Sequence, residues 1–107
     1  MIRGLVDDAM LALQSQDIDA MMQNYSDTFE SDQPGGRDGL KEFFESAKEK
    51  GFLDELKVDL RSIEIAVDGK KATAKPIGLE AQFGALTLEL KLEKIDGSWM
   101  VTYQTQY

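Results

Sequence analysis

The chain has 107 residues, a net charge of −8, and neither cysteine nor histidine. Disulfides, thiolate nucleophiles and thiolate metal sites are therefore excluded, and the commonest general base and transition-metal ligand is missing. The acidic excess would repel nucleic-acid phosphate and anionic lipid, so we expect neither as a partner.

No apolar stretch approaches the roughly 20 residues of a transmembrane helix. We therefore predict a soluble protein. Its length suits a single domain over residues 1–107, and no cofactor is predicted. The compartment stays open: cytoplasmic, or extracytoplasmic if a leader has been removed.

Apolar residues at helical spacing predict three helices in the first half of the chain. Asp17 is placed as the N-cap of the second helix, and Gly51 ends the third in a left-handed cap. The apolar faces consist of Ile2, Leu5, Ala9, Met10 and Leu13, then Ile18, Met21, Met22, Tyr25 and Phe29, then Leu40, Phe43, Phe44 and Ala47.

From about residue 55 the apolar period changes to two, which predicts four strands joined by short turns. The apolar residues occupy even-numbered positions before Arg61 and Ser62 and odd-numbered positions after them. This switch of parity indicates a β-bulge or a change of buried face. Short connections make sequential strands antiparallel neighbours. The predicted fold class is α+β: three N-terminal helices packed in the concavity of a curved, antiparallel sheet of four strands, or five with a short extra one.

Three segments, in the same order along the chain, resemble motifs of the nuclear transport factor 2-like superfamily, which includes ketosteroid isomerase and the SnoaL-like polyketide cyclases. Residues 16–29 are similar to its second-helix motif, and residues 36–44, Gly-Arg-x-x-Leu-x-x-Phe-Phe, to its third helix. Residues 96–101, beginning Asp-Gly-Ser-Trp, look like the start of its final strand. The resemblance implies a cone-shaped domain whose cavity often holds a small hydrophobic molecule, and a homodimer formed through the outer sheet face.

The likeness to ketosteroid isomerase implies two catalytic positions. The carboxylate base of that family lies in the loop after the second helix, where Asp32 falls, and the oxyanion-binding tyrosine lies on the first helix, where Ala9 falls. Alanine cannot donate that hydrogen bond. Asp32 is also an ordinary turn residue. The chain therefore leans away from being an enzyme of this type.

Glu80 is a second candidate base, with two alternative placements. By alternation Glu80 lies on the same face of its strand as several small residues. If that face points inward, the Glu80 carboxylate lies in the cavity and its pKa is raised by burial. If Pro76 and Gly78 introduce a bulge, the parity shifts and Glu80 faces water. Both placements are compatible with the sequence.

The leading hypothesis is non-catalytic binding of a small hydrophobic molecule, or an accessory role. The alternatives are an isomerase or cyclase that uses Asp32 or Glu80 as its base, and a homodimeric protein-interaction module. No metal site is predicted. The outer sheet face is predicted to carry Thr87, Glu89, Lys91, Glu93, Thr102 and Gln104. The predicted cavity lining is Tyr25, Phe29, Phe44, Glu80, Trp99 and Tyr103.

Overall fold

The computed structural model describes residues 2–31, 35–81 and 84–106. Three helices pack against the concave face of a curved sheet, which confirms the predicted α+β class. The elements in chain order are α1 (Ile2–Gln14), α2 (Ile18–Met22), β1 (Tyr25–Ser31), α3 (Gly36–Glu49), β2 (Lys57–Asp59), β3 (Glu64–Asp68), β4 (Lys71–Ala81), β5 (Gly84–Ile95) and β6 (Ser98–Gln106).

Within the described residues the sheet has six strands in the order β1-β6-β5-β4-β2, and β3 also pairs with β4. The pairing of β1 with β6 is parallel, and the other pairings are antiparallel. The predicted antiparallel sheet of four strands, or five with a short extra one, thus differs from the observed sheet in strand count and in the parallel pairing at one edge. No helix in the described ranges is long and apolar enough to cross a membrane.

The second helix is shorter than predicted, because it ends at Met22 and the chain then enters β1. Tyr25 and Phe29 are buried side chains of a strand, not of a helix. The cause is pairing with a distant strand: Tyr25 lies opposite Val101, and the Val101 N–H donates to the carbonyl of Asn24 over 2.8 Å. Such tertiary pairing overrides a local helical period.

Arg37, at the start of α3, holds the junction between α2 and β1. Its Nε donates to the Tyr25 carbonyl over 3.2 Å, and its Nη2 donates to the Met22 carbonyl over 2.8 Å. Carbonyl groups at a helix end lack a partner within the helix, and here one guanidinium supplies it. The arginine of the Gly-Arg pair that opens the predicted third-helix motif therefore has a structural function in this chain.

The predicted parity switch coincides with a break between β2 and β3, which both pair with β4. At the end of β2, the Asp59 carboxylate accepts bonds from the backbone N–H and the guanidinium of Arg61, and this lowers the pKa of Asp59 to about 2. Opposite the break, the register of β4 against β5 shifts between Ala74 and Ile77. Each irregularity changes which side chains face the helices.

Candidate functional site

A cavity of about 670 Å³ lies between α3, the segment that follows it, and the concave face of β4, β5 and β6. Its wall is mainly leucine and phenylalanine, and the side chains at its base are buried. The lining residues are Leu13, Gly39, Glu42, Phe43, Phe44, Ser46, Ala47, Lys50, Phe52, Leu53, Leu56, Leu79, Leu86, Leu88, Gln104 and Gln106.

Two phenylalanines mark the mouth of this cavity. Phe43 is 47% exposed and Phe52 is 41% exposed, although both are large apolar side chains. The Phe43 ring meets the buried Phe44 ring edge-on, with 5.3 Å between their centroids. The apolar wall therefore continues from the buried base to the surface of the protein.

The neutral polar side chains of the lining are Ser46 on α3 and, on the inner face of β6, Gln104 and Gln106. Gln104 is buried, and its Oε1 accepts a hydrogen bond of 3.0 Å from the hydroxyl of Tyr25. Burial raises the pKa of Tyr25 well above its ordinary value. The hydroxyl therefore remains protonated and acts as a donor, not as a base.

The charged groups of the lining lie at the mouth. Glu42 and Lys50 are both exposed, and the base of the cavity is formed by apolar side chains and Gln104. Within the described ranges, no group of three carboxylates lies close enough together to hold a metal ion. The arrangement therefore offers apolar contact and neutral hydrogen bonding inside, with charge only at the rim.

Three of the residues predicted to line the cavity lie in its wall or next to it: Phe44, Tyr25 and Phe29. Phe44 lines the cavity directly. Tyr25 does not line the cavity itself, but its hydroxyl is hydrogen-bonded to Gln104, which does. Phe29 packs edge-on against Tyr25, with ring centroids 5.0 Å apart, and belongs to the core.

Trp99 and Tyr103 are not in the cavity lining. Trp99 is half-buried against the core at the start of β6. Tyr103 lies on the outer face, where the Lys91 ammonium is 5.6 Å from the centre of its ring. The cause is a register shift in the pairing of β5 with β6, where Lys91 opposes Tyr103 but Leu92 opposes Val101.

The same shift turns Gln104 inward, so its predicted place on the outer face is wrong. Sequence alternation alone groups Gln104 with Thr102, and the bulge separates them. Gln104 is the functional candidate that the sequence analysis missed. A buried amide on a strand is visible only once the bulge is known.

Glu80 is exposed, and its neighbour Leu79 faces the cavity. The second of its two placements is thus the observed one, because the register shift between Ala74 and Ile77 changes the parity of β4. Asp32 lies outside the described residues. Ala9, at the position of the oxyanion tyrosine, is fully buried in α1.

A helical layer in the concavity of a mixed sheet, with a cavity between the two, defines a cystatin-like class of α+β fold. No protein-family model matches the sequence, and no curated protein does either. Among solved structures, those with a similar fold include nuclear transport factor 2-like proteins. This chain has that fold, and the predicted resemblance is confirmed as a resemblance of fold.

Three of these structures illustrate the likeness. A Shewanella oneidensis nuclear transport factor 2-like protein of unknown function is 23% identical, with a TM-score of 0.73 over 98% of this chain and 94% of that one. A Nostoc punctiforme protein of unknown function with a cystatin-like fold is 14% identical, with a TM-score of 0.79 over 98% of this chain and 86% of that one. Bdellovibrio bacteriovorus Bd1075 is 15% identical, with a TM-score of 0.84 over 99% of this chain but 40% of the longer one.

Proposed function

We propose that residues 1–107 form one domain that binds a small, largely apolar molecule in the cavity between α3 and the sheet. One observation carries the proposal: the lining is mainly apolar from the exposed Phe43 at the mouth to the buried leucines at the base, and its two charged side chains, Glu42 and Lys50, are exposed. The volume of about 670 Å³ falls within the range of roughly 300–1,000 Å³ that is typical of small-molecule sites.

Binding fits this lining better than proton-transfer catalysis does. An isomerase or cyclase needs a group that accepts a proton beside the bound molecule. Among the described residues, Glu42 is the carboxylate in the lining, and it is exposed at the mouth. Tyr25 is held in its protonated form. A catalytic role would therefore rest on Asp32, which lies outside the described residues.

Native mass spectrometry of the purified protein, followed by its denatured mass, tests the proposal first. We expect extra mass that is lost on denaturation, or, if the cavity is empty after purification, saturable binding of Nile red with increased fluorescence. An apolar dye gains fluorescence when it leaves water for such a site. Absence of both signals would contradict the proposal.

A blocking variant ties the signal to this cavity. Ala47 lies on α3 in the lining, so Ala47→Phe should fill part of the space and weaken Nile red binding by about tenfold or more. The matched control is Ala85→Phe, at an exposed position of β5 outside the lining. Equal loss of binding in both variants, or in neither, would show that the dye binds elsewhere.

Association into a homodimer through the outer sheet face stays a separate prediction. That face has a depression of about 530 Å³ whose lining includes Lys71, Thr73, Lys91, Glu93 and Tyr103. A polar surface of mixed charge suits a modest interface rather than a large apolar one. Light scattering on wild-type protein and on Lys91→Glu tests it, and a monomeric wild-type protein at high concentration would contradict it.

A further inference from the structure

Gln104 is an unusual side chain in this core. Apart from the Tyr25 hydroxyl, the polar side chains among the buried residues of the described ranges are Ser26 and Gln104, at 6% and 3% exposure. Ser26 shares its hydroxyl in a 2.9 Å bond with Thr28, whereas Gln104 belongs to the cavity lining. A buried carboxamide has two donors and one acceptor oxygen to satisfy.

The carboxamide of Gln104 is satisfied on one side only. Its Oε1 accepts from the Tyr25 hydroxyl, and no residue in the described part of the chain accepts a bond from its Nε2. Fully enclosed side-chain nitrogen and oxygen atoms in those ranges all have partners, so Nε2 has some accessible surface, and the open space that Gln104 lines is this cavity. Tyr25 stays protonated, and it therefore keeps Oε1 engaged and leaves the N–H groups for the cavity.

The cavity around Nε2 favours a neutral acceptor over an anionic one. The one cation in the described lining is Lys50, which is exposed at the mouth, close in sequence to the rim residue Phe52. A carboxylate brought to the base would lose its hydration and gain only neutral donors, which is unfavourable. A carbonyl oxygen of a ketone, ester or amide loses less hydration and accepts from the same N–H.

We infer that Gln104, held by Tyr25, is a specificity-determining residue that selects, among apolar molecules of similar size, those that carry an uncharged carbonyl oxygen. This inference rests on the proposed function of the cavity. An apolar ligand without an acceptor would displace water from Nε2 and leave its N–H unpaired, whereas a carbonyl ligand would replace that water.

The probes are 9-fluorenone and fluorene, two rigid tricyclic molecules that differ at one carbon, which is a carbonyl group in the first. Dissociation constants from equilibrium dialysis should show that the wild-type protein binds fluorenone about fivefold more tightly, as expected for one neutral hydrogen bond. In Gln104→Leu this preference should disappear. The matched control is Gln23→Leu, the same substitution at an exposed position outside the lining, which should keep the preference.

Infrared spectra of bound fluorenone give a second readout that does not depend on the variants. The carbonyl stretch should lie at lower frequency in the wild-type protein than in an apolar solvent. In Gln104→Leu it should return to the frequency seen in that solvent. If Gln104→Leu does not fold, the wild-type shift alone decides. Equal affinity for the two probes with an unshifted carbonyl stretch would overturn the inference and leave the proposed function standing. Failure of both probes to bind a protein that does bind Nile red would overturn the inference alone, whereas failure of the probes and of Nile red would overturn the two together.

Discussion

The hydroxyl of Tyr25 donates a 3.0 Å hydrogen bond to Oε1 of Gln104, and the two residues lie 79 positions apart in the chain. They belong to β1 and β6, the one parallel pair of the described sheet, whose register is irregular between Tyr25 and Glu30. The bond therefore joins the two strands across the stretch where their backbone pairing is incomplete. Parallel pairing is slightly less stable per residue than antiparallel pairing, so a buried side-chain bond is well placed here.

A double-mutant cycle measures this bond. Tyr25→Phe leaves Oε1 of Gln104 buried without a donor, and we expect the free energy of unfolding to fall by about 1–2 kcal/mol. Gln104→Leu should have a similar effect, because it leaves the tyrosine hydroxyl unpaired. The double variant should lose less than the sum, by about 1 kcal/mol, in urea titrations. Additive losses would mean that the bond contributes nothing to stability.

Alkaline pH provides an independent check on the state of Tyr25. Its pKa is raised by burial above the ordinary value of 10.0, so the folded protein favours the protonated hydroxyl more than the unfolded chain does. The resulting stability is present below about pH 10 and is lost as the pH rises further. Urea titrations from neutral pH to about pH 11 should show a steeper fall in the wild-type protein than in Tyr25→Phe. Parallel curves would contradict the assignment, since the other tyrosines titrate equally in both proteins.

Sequence patterns predicted the parts of the fold that depend on nearest neighbours. Leu88, Leu90 and Leu92 are buried, and Lys91 and Glu93 between and after them are exposed, because the alternation of β5 is uninterrupted. The first and third helices were also predicted from their own apolar faces. In each case the local pattern and the tertiary structure favour the same element.

The same reasoning failed where a distant strand or a single extra residue decides the geometry. Tyr25 and Phe29 continue the helical spacing of α2, yet pairing with β6 makes their segment a strand. The placement of Gln104 and Tyr103 was inverted, because one register shift exchanges the faces of β6. The candidate site depends on this shift, so the cavity could be predicted from the resemblance but its polar residue could not.

The rim phenylalanines should contribute to binding more than to folding. Phe43 is 47% exposed at the cavity mouth, and Leu11 is 62% exposed on α1, away from the lining. Phe43→Ser and Leu11→Ser should each lower the free energy of unfolding by less than about 1 kcal/mol. Only Phe43→Ser should weaken Nile red binding, by about fivefold, because bound dye covers this ring. An equal effect of the two variants would indicate general surface adsorption of the dye.

Substitution of Arg37 by lysine should destabilise the protein, because one guanidinium donates to two carbonyls in different elements. The bonds to Met22 and Tyr25 come from different nitrogens of the planar group, a geometry that an ammonium cannot reproduce. We expect Arg37→Lys to lower the free energy of unfolding by about 2 kcal/mol. Arg61→Lys, whose side chain is 90% exposed beside Asp59, should change it by less than about 0.5 kcal/mol in the same urea titrations. Similar values for both would refute the structural function of Arg37.

Gly36 tests the close approach of α3 to β1. Its φ is +58°, and a Cβ at this position would lie 3.1 Å from the Phe29 carbonyl oxygen. Gly69, in the turn between β3 and β4, has a similar φ of +63° with no atom within 4 Å of its Cβ position. Gly69→Ala should therefore cost only the conformational term, about 1 kcal/mol, whereas Gly36→Ala should cost about 2 kcal/mol or more. The difference between the two variants, measured by urea unfolding, reports the contact with β1, and equal costs would show that α3 can shift away from Phe29 without penalty.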